Sequence, residues 1–184
     1  MAKLRKQDGI SARALEFLVL TTTRTGETLG ATWNEVDMGA ELWTIPAGRM
    51  KAGKEHRVPL SDATLAVLQR MHDIRHSDYV FPGGRDRRPL SEMSLLMLLR
   101  RMGHGDITAH GFRSTFRDWA AERTTFAREM ALAHAIPDAV EAAYRRGDLF
   151  DKRRKLMDAW AAYCAKVETD GGKVVALARG RTPR

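Results

Sequence analysis

A chain of 184 residues, 43% of them hydrophobic, suits one compact domain with a core of its own. Its 31 Lys+Arg against 23 Asp+Glu leave a formal net charge of +8, which makes a polyanion, and nucleic acid first, the partner to consider. The single cysteine, Cys164, excludes an intramolecular disulfide and any multi-cysteine zinc site, and no apolar run approaches the roughly 20 residues that cross a bilayer.

The opening MAKLRKQDG lacks a signal peptide's apolar stretch, so a cytoplasmic protein is expected. From Ser11 to Thr23 the residues Ala12, Leu15, Phe17, Leu18 and Leu20 recur at helical spacing, with Ser11 as a candidate N-cap, and predict a buried first helix. After Trp33 the pattern changes to short β-prone pieces between Gly, Pro and charged turn residues. Strands are predicted near Trp33–Val36, Leu42–Ile45 and His56–Pro59.

Helical patterns resume at Asp62–His76, with Ser61 as N-cap, and at Ser91–Gly103, Gly111–Glu122, Phe126–His134, Asp138–Gly147 and Asp151–Val167. The expected fold is therefore mainly α with a small three-stranded antiparallel β-sheet. Loops are marked by the basic Phe81–Pro89 stretch and by Gly103–Asp106; residues 169–184 read as a flexible basic tail, and no internal repeat is present.

Three clusters bear chemistry: Thr23-Arg24-Thr25-Gly26-Glu27, His110-Gly111-Phe112-Arg113, and Leu132-Ala133-His134 followed ten positions later by Tyr144. Their order resembles the tyrosine recombinase signature of Arg, Lys, His-x-x-Arg, His or Trp, and Tyr, over about Ala12 to Tyr163. GRMKAGKEHRVPLS and EAAYRRGDLFDKRRKLMDAWAAYC are similar to the P4-like branch of prophage integrases. The resemblance implies the tyrosine recombinase catalytic-domain fold over residues 1–168. It implies an active site of Arg24, Lys51, His110, Arg113, His134 and Tyr144, with Glu27 supporting. It further implies site-specific integration or excision of a mobile element through a 3′-phosphotyrosyl intermediate on double-stranded DNA attachment sites. In the full-length protein it implies a tetramer on paired sites, with accessory DNA-bending proteins. Family members carry core-binding and arm-binding domains before the catalytic one, and this sequence begins almost at the first catalytic helix; weak activity of the isolated domain is the expectation.

Elementary chemistry supports those assignments. A phosphodiester under attack gathers charge on its nonbridging oxygens, and planar guanidinium forks at Arg24 and Arg113 suit them. A lone arginine is usually a surface or ion-pair residue, and only the joint pattern outweighs that. Tyr144, a phenol of pKa about 10, must lose its proton as it attacks, with His110 the candidate to help. Its flank Arg145-Arg146 is unusual for a core tyrosine. Lys51, between the second and third strands, is the expected general acid for the 5′-oxygen, in competition with Arg49, Lys54 and Arg57. His134 would hydrogen-bond a nonbridging oxygen, the alternative being a satisfied core histidine. Glu27 would orient Arg24 or cap the helix opening at Thr25.

Acidic residues are scattered, with no carboxylate cluster for Mg²⁺. His72 and His76 stand four apart, but Asp73 replaces the glutamate of His-Glu-x-x-His and no third ligand follows, so a solvated helix face is expected. No metal and no cofactor is expected. Phosphate contacts are expected from Arg85, Arg87 and Arg88, from Arg49, Lys54 and Arg57, and from the segment Arg145–Arg154 that opens with Arg145 and Arg146. Two rivals remain: a catalytically decayed DNA-binding remnant, and a type IB topoisomerase-like or resolvase-like enzyme with the same chemistry.

Overall fold

The computed structural model describes residues 1–84, 88–121, 123, 131–133 and 149–166. Arg85, Arg87, His134, Tyr144, Arg145 and Arg146, the predicted helix Asp138–Gly147, most of the predicted helix Phe126–His134 and the tail from Thr169 lie outside the described residues.

A short helix α1 (Ala2–Arg5) opens the chain where no periodicity announces one. It forms because Leu4 buries in the core and because Arg5 and Arg13 both pair with the buried Glu16, at 2.7 and 3.0 Å. Helix α2 (Ile10–Thr21) starts after Gly9, whose φ of 91° it tolerates, so Gly9 and not Ser11 is the N-cap. Nearly every residue of α2 from Ala12 on is buried, as expected of a central helix rather than an amphipathic surface one. Against it pack α4 (Asp62–Asp73), α5 (Glu92–Arg101) and the last described helix, α7 (Phe150–Ala165). The Phe17 ring lies 5.1 Å from that of Trp43 and 5.3 Å from that of Phe81.

The sheet runs β1 (Val36–Asp37), β2 (Leu42–Ile45), β3 (His56–Pro59), all antiparallel, with Trp43 opposite Val58 and Ile45 opposite His56. The first strand is shorter than expected: Trp33–Glu35 form a 3₁₀ turn. There Thr32 Oγ1 bonds Asn34 and Glu35 reaches back to the Thr32 amide, local bonds that compete with strand pairing. Likewise α4 stops at Asp73, so His76 lies beyond it, and its ring faces the Ile74 carbonyl at 3.1 Å. The zinc-like spacing of His72 and His76 thus sits on no common helix.

Helix α6 (Gly111–Ala121) buries Arg113, Phe116 and Ala120. Phe116 and Trp119 meet Trp160 of α7 at 5.3 and 5.1 Å, and Trp160 Nε1 donates to the Val19 carbonyl at 2.7 Å, one of the acceptors that the end of α2 leaves open. Leu156 and Trp160 are core residues, Tyr163 is 45% exposed, and half-buried Cys164 packs against the core. Burial pushes the Cys164 thiol up to about 11, the state of a packing residue rather than a reactive one.

Candidate active site

The site is built at the carboxyl end of α2. Thr22, with φ 57° and ψ 21°, occupies the left-handed region, where a β-branched residue is a genuine outlier. Such strain, on the order of 1–3 kcal/mol, is held where the surroundings over-determine it. It turns the chain from α2 through Thr23 into α3 (Thr25–Leu29).

The Thr22 carbonyl accepts a hydrogen bond from Arg113 Nη1, and the Leu132 carbonyl accepts one from Arg113 Nη2 at 2.9 Å. A cation there also meets the negative end of the α2 dipole. Arg113 is only 6% exposed, yet its guanidinium carries more N–H donors than two carbonyls use. Burial first, and then the charge of Arg24, push its pKa down to about 10, with Glu27 pulling the other way. Arg113 stays cationic at neutral pH, in a setting that an anion would relieve.

Arg24 stands immediately before α3. Glu27 Oε2 accepts its backbone N–H at 2.7 Å and Glu27 Oε1 accepts its Nη1 at 2.6 Å. The buried Glu27 therefore both caps the helix and orients the arginine. A hydroxyl chain steadies this turn, Thr21 to Thr23 at 3.0 Å and Thr23 to Thr28 at 2.8 Å. Arg24 and Glu27 thus pair directly, and the charges of both bear on Arg113, some 90 positions away in sequence.

His110 is exposed, directly before α6, and its carbonyl accepts the Arg113 amide at 3.0 Å, so both residues lie on the first turn. Lys51 and Lys54 are exposed in the β2–β3 hairpin loop, where Lys51 follows the buried Met50. Arg49 faces inward instead: Nη1 pairs with Glu35, and Nη2 donates to the Glu27 carbonyl at 2.6 Å, beside Gly30, where a Cβ would come within 2.7 Å of that nitrogen. The guanidinium thus fastens the hairpin's base to α3. Arg57 is exposed with its guanidinium 4.5 Å over the Phe150 ring, and Arg88 is exposed. In the segment Arg145–Arg154, Arg154 pairs with Glu41, and Arg153, 2% exposed, donates to the Arg57 carbonyl. These two arginines are spent on internal contacts. Among the described residues, no group of three or more His, Cys, Asp or Glu side chains could hold a metal.

Comparison with known proteins decides the family: residues 1–148 match the model of the phage integrase family. The chain belongs to that family. This integrase-family chain is 37% identical over 149 residues to the prophage integrase IntA of Escherichia coli K12, covering 78% of this chain and 36% of the relative. It is 33% identical over 162 residues to the integrase of Shigella phage Sf6, covering 83% and 41%. To the integrase of Enterobacteria phage P4 it is 33% identical over 171 residues, covering 82% and 39%. It spans well under half the length of these curated relatives.

Among solved structures it shares its fold with the Tn1549 transposon integrase in complex with transposon right end DNA (TM-score 0.60, 15% identity, 87% of this chain and 63% of that one). A second is the XerA recombinase (TM-score 0.58, 15% identity, 89% and 60%). The tyrosine recombinase catalytic-domain fold expected of this chain is thereby established.

Sequence reading passed over one buried residue beside the site. His56 is 7% exposed. Burial foremost, then Arg153, lower its pKa to about 4, and Arg113 adds to the effect while Glu27 and the Ala131 backbone oppose it. The available signal was strand parity: His56 shares the inward face of β3 with Val58.

Proposed function

We propose that this chain is the catalytic part of an enzyme that performs site-specific DNA recombination, integrating or excising a mobile element by strand cleavage and rejoining. The observation that carries the reading is that two guanidiniums are held in place before any anion arrives, Arg24 by Glu27 and Arg113 by the carbonyls of Thr22, two positions before Arg24, and Leu132.

In this reading Arg24 and Arg113 bind the nonbridging oxygens of the scissile phosphate, and His134 adds a hydrogen bond. Tyr144 Oη attacks phosphorus, giving up its proton towards His110. The P–O5′ bond breaks, and the 5′-oxygen takes a proton from Lys51. The phosphotyrosyl ester keeps the phosphodiester's energy, so an incoming 5′-hydroxyl reverses the step with no cofactor and no metal. Lys54 and Arg88, with Arg57, Arg85, Arg87, Arg145 and Arg146, add phosphate contacts that give affinity without sequence information. The whole protein would act as a tetramer on paired double-stranded attachment sites, with accessory bending proteins, in the cytoplasm. The chain alone binds nonspecific duplex only in the micromolar range or weaker at physiological salt, and is weakly active.

The test is a pool of nicked random-sequence duplexes incubated with the chain in EDTA, scored for SDS-stable protein–DNA adducts. Adducts that vanish in Tyr144→Phe support the reading. Absence of adducts from the native chain, at concentrations where duplex is bound, would leave a non-catalytic DNA-binding domain. Sequence-independent relaxation of supercoiled plasmid would instead make it a topoisomerase.

A further inference from the structure

On the reading of Lys51 as the proton donor and Arg24 as a phosphate ligand, we infer that Arg49 is a positioning residue of the same reaction. Its guanidinium anchors the root of the Lys51 loop to the residue that orients Arg24, and so sets where the donor stands relative to the bound phosphate.

The anchor is made of direct contacts. Ala47–Arg49 form a 3₁₀ turn after β2, in which the Arg49 amide bonds the Pro46 carbonyl at 2.9 Å. Met50 then enters the core at 6% exposure, and residues 51–55 are all exposed before His56 returns the chain to β3. Lys51 therefore takes its place from the two residues before it. The Arg49 side chain turns away from the loop: Nη1 pairs with Glu35, and Nη2 donates to the Glu27 carbonyl at 2.6 Å. Glu35 is in turn held to β2, since its carboxylate accepts Trp43 Nε1 at 3.0 Å. The Glu27 carbonyl lies in the last turn of α3, where the Ala31 amide bonds Thr28 instead, and such open acceptors need partners from outside the helix. One residue thus serves two cations. Glu27 gives its carboxylate to Arg24, at 2.6 and 2.7 Å, and its carbonyl to Arg49.

The residue types fit this task. A planar guanidinium spans a carboxylate on one element and a carbonyl on another, whereas an ammonium is a point charge that holds one of them. Paired with the buried side chain of Glu35, the charge of Arg49 is turned inward rather than offered to phosphate. Gly30 leaves the space: a Cβ there would come within 2.7 Å of Arg49 Nη2 and 3.1 Å of the Gly26 carbonyl.

The test uses duplexes that form adducts with the native chain, made with oxygen or sulfur at the scissile 5′ position. Sulfur leaves as a thiolate without a proton, so a defect in proton delivery disappears on it and a defect in phosphate binding does not. Arg49→Lys keeps the charge beside Glu35. It should slow adduct formation about tenfold on oxygen, the size of one lost hydrogen bond in a charged network, and run within about threefold of native on sulfur. It should add no further loss to Lys51→Ala, since both act on one step. Equal slowing on both substrates, or native rates on both, overturns the inference and leaves Lys51 as the donor. A Lys51→Ala defect that persists on sulfur removes instead the reading of Lys51 itself. Should Arg49→Lys fail to fold, Gly30→Ala displaces the guanidinium from the other side and should show the same rescue by sulfur. A Gly30→Ala chain slowed alike on both substrates, or native on both, rejects the anchor.

Discussion

The arginine floor and the lysine hairpin are built by opposite means. Arg113 is almost fully buried, its guanidinium tied to two carbonyls, and Arg24 is bound to Glu27 at main chain and side chain alike. Lys51 and Lys54 stand exposed on a loop whose base alone is fastened, by Met50 in the core and Arg49 on Glu35. Charge that must meet a developing oxyanion is useful only if it needs no reorganisation at the moment of reaction, so it is fixed in advance. In the proposed reaction, a proton donor that must reach a leaving oxygen on a large, separately bound polymer sits on an exposed loop over a firm root. The difference is between charge fixed by the fold and charge left exposed on a loop.

The sharpest way to break this contrast is Arg113→Lys. A lysine keeps the charge but cannot span both carbonyls and a phosphate, so the rate of covalent-adduct formation should fall about 10³-fold with DNA affinity nearly unchanged. A variant that cleaves at native rate would show that the fork geometry is irrelevant.

Acid titration probes the floor from below. The folded pKa of His56 lies below its unfolded value, so the unfolded chain takes up the proton first. Stability from this group is complete above pH 6.5 and is lost as pH falls towards about 4, by up to about 3 kcal/mol. Urea melts across that range should show the loss in the native chain and a flatter profile in His56→Gln. Equal slopes in both would place the acid sensitivity elsewhere.

On the hairpin side, Lys51→Ala should slow cleavage about 10²-fold with an unchanged melting temperature, and a substrate with a 5′-thiol leaving group should recover the loss because it needs no proton. A defect that persists with the thiol would reassign the lysine to binding. The smallest effects separate the loop from its root. Lys54→Ala should lower the salt dependence of duplex binding by about one unit of slope and leave stability alone. Arg49→Ala should instead cost about 1–3 kcal/mol in a urea melt, since Glu35 and the Glu27 carbonyl lose their partner. The reverse assignment of effects would make Arg49 the DNA contact and dissolve the distinction.

Much of this was legible in the sequence. β2 and β3 lie at the expected residues, and α4, α5, α6 and α7 within two or three positions of theirs, because apolar periodicity and Pro/Gly punctuation report directly on one-sided burial. The helix α1 was not legible, since four residues have no period, and only Leu4 and the Glu16 ion pairs justify it. The 3₁₀ turn at Trp33–Glu35 escaped for a related reason: the bond of the Thr32 amide to the Glu35 side chain and that of the Thr32 hydroxyl to Asn34 leave no hydrophobic trace. Arg49 and Lys54 look alike as hairpin cations, and the positions of Glu35 and of the Glu27 carbonyl separate them.

The sequence by itself determined the family: the order of its arginines, histidines, lysine and tyrosine resembles the tyrosine recombinase signature, and residues 1–148 match the phage integrase family. Tertiary structure alone decided which cations are spent on carbonyls and carboxylates and which remain for a ligand. It also decided that the histidine of β3 is buried. Such pairings join residues tens of positions apart, and electrostatic energy in a buried site depends on distance and desolvation, neither of which is encoded in the spacing of letters along the chain.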